Sequence, residues 1–165
     1  MSQQAELERS VEGMPTWPGQ GFTRVPYWVF QRDDVYAREQ EAIFQGPVWH
    51  YLCLEADIAA GGDFMTTFVG DAPVVVTRDN EGAIHAFENR CAHRGALICL
   101  DAKGKGKKDF ACVYHAWTYD LTGKLTGVAF QKGVKGKGGM PPEFKISEHG
   151  PRRLKITTLH GLVFG

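Results

Sequence analysis

The chain has 165 residues, 43% of them apolar and 23% charged, with 19 basic side chains against 19 acidic ones and a formal net charge of zero. That length holds one domain with a real core, and the neutral balance gives no electrostatic case for nucleic acid. No apolar run approaches the roughly 18 residues of a membrane span, and Met1 to Arg9 lacks the apolar stretch of a secretory signal. The expected compartment is therefore a reducing cytoplasm, where the four cysteines (Cys53, Cys91, Cys99, Cys112) need not be a disulfide set.

Residues 1–22 are polar, with Pro15, Pro18 and several glycines, and form a first segment, an N-terminal arm. A second segment, 23–47, is helical. Its apolar start, residues 25–30, is expected to pack onto the body. Asp33 or Asp34 can cap a helix running to about Gln45, and Gly46-Pro47 stops it. Ile43 and Phe44, with Val35 or Tyr36 two turns earlier, give that helix an apolar face.

From Val48 the signal is strand. Residues 48–54, 63–69, 73–78 and 83–88 are rich in β-branched or aromatic side chains, and Gly61-Gly62, Gly70-Asp71 and Asp79 to Gly82 separate them as turns. Residues 73–78 and 83–88 predict a hairpin, and 116–119 with 124–128 a second one across Asp120 to Gly123. Residues 131–141 are rich in glycine and lysine and predict a loop; 153–159 and 162–164 predict closing strands. The expectation is a mostly-β domain of antiparallel sheets over residues 48–165, with a short N-terminal helix. The apolar end at Val163-Phe164-Gly165 suggests a piece of a longer polypeptide.

Within this pattern lie two arms, Cys91-Ala92-His93-Arg94-Gly95 and Cys112-Val113-Tyr114-His115, with eighteen residues (94–111) between His93 and Cys112. Each arm pairs one cysteine with one histidine. A two-iron cluster needs that mixture if one iron takes two thiolates and the other two imidazoles, which is the Rieske [2Fe–2S] arrangement. Cys91 and Cys112 would bind one iron as thiolates. His93 and His115 would bind the other as neutral imidazoles, each leaving its second ring nitrogen to a partner. Gly95 lets the backbone turn tightly beside the cluster. Trp117 and Tyr114 can wall it from water.

Two cysteines and two histidines also make a tetrahedral zinc site, but zinc fingers pair like with like, and here the arms are mixed. His50, His85, His149 and His160 lack paired cysteines at ligand spacing and are taken as ordinary surface or core residues. Cys53 and Cys99 are expected to be packed thiols.

The arms, with Tyr114 to Tyr119, Gly123-Lys124-Leu125 and the flanks Arg24 to Tyr27, Gly62-Asp63-Phe64, Glu88-Asn89-Arg90 and Gly138 to Pro141, resemble the Rieske domain of aromatic-ring-hydroxylating dioxygenase large (α) subunits. The resemblance covers about residues 23–165 and points to members acting on aromatic carboxylates, of the terephthalate, salicylate and anthranilate kind. Within these it is to the terephthalate type, because Cys-Val-Tyr-His replaces the commoner Cys-Pro-Tyr-His.

The resemblance implies an electron path in aromatic catabolism, from an NADH-dependent reductase or a ferredoxin through the cluster to a mononuclear Fe(II) that oxygenates the ring. It implies partner α subunits in a head-to-tail trimer and a β subunit in some members, with no nucleic acid or membrane partner. No His-x₄-His pair with a later Asp follows the second arm, so the mononuclear iron is expected in a C-terminal domain beyond residue 165, and no catalytic residue is expected here.

Two features depart from the pattern. The gap between the arms is one residue longer than usual, within Gly104 to Lys108, where a surface loop tolerates insertion. Arg94 and Val113 stand near where respiratory Rieske proteins place a disulfide. With Trp117 at a position where a hydroxyl donor to sulfur could sit, this implies a potential near about −150 mV, low in the Rieske range. The alternative is a free-standing Rieske-type ferredoxin. Lys103, Lys105, Lys107 and Lys108, with Lys132, Lys135 and Lys137, would form a basic rim for an acidic redox partner if both loops surround the cluster.

Overall fold

The structure, a computed structural model, describes Thr23 and residues 25–165. The polar arm 1–22 and Arg24 lie outside the described residues.

A 3₁₀ turn over Tyr27–Phe30 precedes helix α1, Asp33–Glu39, which runs on into a π-type turn over Gln40–Phe44. The helix starts and stops where the sequence predicts, but its cap differs. The N-cap is Arg32, without a side-chain cap bond. Asp34 is held instead by the Arg32 guanidinium, through bonds of 2.8 and 2.6 Å. The expected packing of residues 25–30 is found only in part: Pro26, Trp28 and Val29 are half-buried, while Val25, Tyr27 and Phe30 are 51, 84 and 74% exposed. Ile43 and Tyr36 of the expected apolar face are also exposed. The helix attaches through Phe44, which packs on the core, and through buried Gln40, whose Oε1 accepts the Asp71 N–H at 3.0 Å.

Ten strands follow in three small antiparallel sheets. Strands β2 (Phe64–Val69), β3 (Ala72–Arg78), β4 (Ile84–Glu88) and β5 (Lys103–Gly104) make the central sheet, ordered β4-β3-β2-β5. The predicted first hairpin is β3–β4, in register from Val74↔Glu88 to Arg78↔Ile84. A second sheet joins β6 (Asp109–Ala111), β7 (Thr118–Asp120) and β8 (Leu125–Gly127). The third joins β1 (Tyr51–Leu54), β10 (Leu162–Phe164) and β9 (Thr157–Leu159). The expected strand 153–159 shrinks to β9 plus an isolated bridge from Arg153 to Phe87. Strands β5 and β6 carry too few residues to show a period-2 pattern.

The central sheet is buried on both faces, which is why β3 is a continuous apolar run rather than an alternating one. Val74, Val76 and Ala86 face one core, with Leu52, Cys53, Ile58 and Val163. Val75 and Phe87 face the other, with Phe64, Phe110, Tyr119, Leu125, Trp117 and three cysteines. Phe110 meets Phe64 and Phe87 edge-on, at ring separations of 5.2 and 6.0 Å, a favoured aromatic geometry. Gly123 turns β7 into β8 at φ +80°, and a Cβ there would stand 2.8 Å from the Phe87 ring, so a side chain would meet both strain and a clash.

Candidate metal centre

Both arms emerge from the second core. The second arm is the loop of the β6–β7 hairpin. The first is not a hairpin tip: it follows β4 at one edge of the central sheet, and the next strand, β5, lies at the opposite edge. It is a crossing loop, fixed by other means.

Despite these different settings, the arms share one backbone circuit. In the first, the Cys91 N–H donates to the Ala96 carbonyl at 2.7 Å and the Gly95 N–H to the Cys91 carbonyl at 2.8 Å. In the second, the Cys112 N–H donates to the Trp117 carbonyl at 2.9 Å and the Ala116 N–H to the Cys112 carbonyl at 2.8 Å. The offsets from the cysteine are the same. So is the left-handed residue four places on, Gly95 at φ +73° and Ala116 at φ +53°. Glycine takes that conformation freely, whereas alanine is strained in it.

The structure places the two predicted cysteines in one core cluster and the two predicted histidines against each other. Cys91 and Cys112 are buried, 4 and 3% exposed, in one apolar cluster. His93 and His115 lie edge to face, with ring centroids 4.7 Å apart. His93 is half-buried and stacks on buried Trp117 at 4.9 Å and 12°. Burial and the neighbouring His115 and Arg94 hold the His93 pKa below its ordinary value, which favours the neutral, ligating ring. His115 is exposed and carries Tyr114 against it at 4.0 Å. Of the two expected walls, Trp117 is inside, while Tyr114 is 58% exposed.

Trp117 is braced in turn. Phe144 and His149 meet its ring edge-on at 5.9 and 6.3 Å. The His149 Nδ1 lies 2.9 Å from the Lys145 carbonyl, so that nitrogen carries its proton toward the oxygen. The remaining lone cysteines are packed thiols, as expected. Burial pushes Cys53 up to about 11 and also raises Cys99. All four cysteines are free.

Sequence reasoning missed two residues. The Tyr119 hydroxyl sits 3.1 Å from Cys91 Sγ and 3.0 Å from the Ala92 nitrogen. The Ala92 N–H donates to that oxygen; toward Cys91 either group can donate while the sulfur is a thiol, and the hydroxyl is the donor once the sulfur is a thiolate. A hydroxyl donor therefore does reach a cysteine, two residues beyond Trp117. Burial, followed by the Cys91 contact, raises the Tyr119 pKa and keeps the phenol protonated. The in–out alternation of β7, with Trp117 and Tyr119 both buried, was a usable signal. The other is Asn89, 3% exposed beneath the first arm, for which the sequence offered none.

Among the described residues no three His, Cys, Asp or Glu side chains gather around a single ion position. Nor does any helix among them have the length and apolarity to cross a membrane.

The profile of the Rieske [2Fe-2S] domain matches residues 48–136. The chain is 54% identical over 154 residues to the terephthalate 1,2-dioxygenase terminal oxygenase component subunit alpha 2 of Comamonas sp., covering 93% of this chain and 37% of that one. It is 51% identical over 148 residues to the anthranilate 1,2-dioxygenase large subunit of Burkholderia cepacia, covering 90 and 35%. A naphthalene 1,2-dioxygenase with indole bound superposes with a TM-score of 0.74 at 29% identity, over 84% of this chain and 30% of that one. The chain thus spans 30 to 37% of the length of these relatives. On the profile match and these identities, the chain belongs to the Rieske [2Fe-2S] domain family and is homologous to the large subunits of ring-hydroxylating oxygenases.

Proposed function

We propose that this chain is the electron-transfer domain of an oxygenase α subunit, with Cys91 and Cys112 holding one iron and His93 and His115 the other iron of a Rieske [2Fe–2S] cluster. The observation that carries this is the matched pair of arms, each presenting a buried cysteine and a more exposed histidine from the same hydrogen-bonded turn. Sulfur donors inside and imidazoles outside suit a cluster with a thiolate-bound and a histidine-bound iron.

When bound, such a cluster supplies one-electron transfer. The protein's own residues do the rest. Tyr119 directs a proton at the Cys91 sulfur, and Trp117 holds the His93 ring in plane and screens it from water. His115 presents its ring at the surface. In the full α subunit the electrons would come from an NADH-dependent reductase or a ferredoxin. They would serve a mononuclear Fe(II) in a further domain that oxygenates an aromatic carboxylate in the cytoplasm, within a trimer of α subunits and, in some assemblies, β subunits. The relatives, much longer oxygenase subunits, favour this over a free-standing carrier.

Anaerobically purified chain should contain iron and acid-labile sulfide in equal amounts and give a Rieske-type EPR signal on reduction. Substituting any one of Cys91, His93, Cys112 or His115 by alanine should abolish it, whereas Cys53→Ser and Cys99→Ser should retain it. A colourless, zinc-loaded protein, or an unaltered signal in His115→Ala, overturns the reading. The lysines of β5, of the loop that follows it to Lys108 and of the 131–141 loop would steer an acidic partner. Lys103, Lys105 and Lys108 are exposed, as are Lys132, Lys135 and Lys137, while Lys107 lies over the Phe64 and Phe110 rings. Reduction by the partner should slow as salt rises, and a rate indifferent to salt removes the steering role.

A further inference from the structure

The first arm crosses from one edge of the central sheet to the other and has no hairpin to hold it. One side chain does that work. Asn89 lies two residues before Cys91, and its backbone N–H is fastened to the Pro73 carbonyl of β3 at 2.7 Å. Its amide oxygen accepts the N–H groups of Ile98 and Cys99 at 2.9 and 2.8 Å, and its amide nitrogen donates to the Cys99 carbonyl at 2.8 Å. Three bonds from one planar group thus join the entry of the arm to its exit, and the Cys91 N–H closes the inner ring on Ala96. Only an amide meets this demand: a carboxylate lacks the donor, and a hydroxyl lacks the reach for both sides. The network also fixes the amide orientation, since a flipped group would set its N–H atoms against two other N–H donors.

The arm so closed is the one that meets Tyr119. That hydroxyl bridges Cys91 Sγ and the Ala92 N–H, and both partners lie between the two legs that Asn89 ties together. Resting on the cluster reading above, we propose that Asn89 is a positioning residue: by clamping the first arm it holds the Cys91 sulfur on the Tyr119 hydroxyl, and so supports the reduction potential of the cluster. A hydrogen bond to a ligand sulfur stabilises the reduced, more negative cluster and raises its potential. Losing the clamp should lose that support without removing any ligand.

The test is a double-mutant cycle on the cluster-loaded full chain, read by redox titration and by the EPR spectrum of the reduced form. Asn89→Ala should lower the reduced-to-oxidised ratio at a fixed ambient potential about threefold or more, where tenfold corresponds to about 59 mV for one electron. The same substitution placed on Tyr119→Phe should lower it no further, because the bond it supports is already gone. Asn89→Ser, which keeps one acceptor, should show a smaller shift of the same sign and carries the test if Asn89→Ala does not load. Val76→Ala, fully buried in the other core, is the control for stability alone and should melt earlier at an unchanged potential.

An unchanged potential in Asn89→Ala, or full additivity with Tyr119→Phe, overturns the proposal. Failure of both Asn89 variants to load overturns it as well, because the amide would then build the site rather than tune its potential. Wild-type chain without a Rieske signal would instead defeat the cluster reading, which keeps the two failures apart.

Discussion

The two arms follow the same hydrogen-bonded path around their cysteines, yet they are held in different ways. The second is a hairpin loop, kept in place by the ladder between β6 and β7. The first spans two edges of a sheet and depends on side chains, Asn89 across its base and Tyr119 at its tip. Their histidines differ too. His93 is laid flat on a buried tryptophan, while His115 stands at the surface with a tyrosine beside it. A shared local turn is therefore enough to present a cysteine and a histidine. The environment of each pair is set by what lies underneath.

The largest effect should come from removing the support of His93. Trp117→Ala deletes a buried ring braced by Phe144 and His149 and should cost about 3–5 kcal/mol of stability. Thermal unfolding measures the cost. If the arms differ as described, the signals of the His93 nitrogen in pulsed EPR of the reduced cluster should broaden while those of His115 hold; equal broadening would erase the distinction between the two.

Tyr119→Phe removes one hydroxyl bond to the Cys91 sulfur and nothing from the second arm. A bond worth about 1 kcal/mol more to the reduced state corresponds to about 40 mV, so the potential should fall by that order. A redox titration with no fall would mean the hydroxyl is idle. The smallest effect concerns the left-handed position that the arms share. Ala116→Gly should relieve strain and stabilise the second arm by up to about 1 kcal/mol, and Gly95→Ala should destabilise the first by a similar amount. Opposite shifts in melting temperature are expected, and shifts of the same sign would show that the circuits are not equivalent.

Three of the four strands of the central sheet, with their turns, could be read directly from residues 63–88, because a fully buried strand such as β3 must be apolar on both faces and its turns need glycine and aspartate. The four donor candidates were equally legible, since cysteine and histidine at short spacing have few other uses. The capping residue of α1 was not, because Asp34 found a better partner in the guanidinium of Arg32. Residues 25–30 look like core by composition, yet Val25, Tyr27 and Phe30 lie exposed while Pro26, Trp28 and Val29 are half-buried.

By itself, the order of residues determined which side chains carry the chemistry and that two loops present them, because those properties are local. Only the tertiary structure decided that Tyr119 reaches the Cys91 sulfur, that Trp117 lies under His93 and that Asn89 ties one leg of a loop to the other. Each of these joins groups brought together by sheet packing and loop closure; alternation along the chain marks Trp117 and Tyr119 as inward but not what they meet.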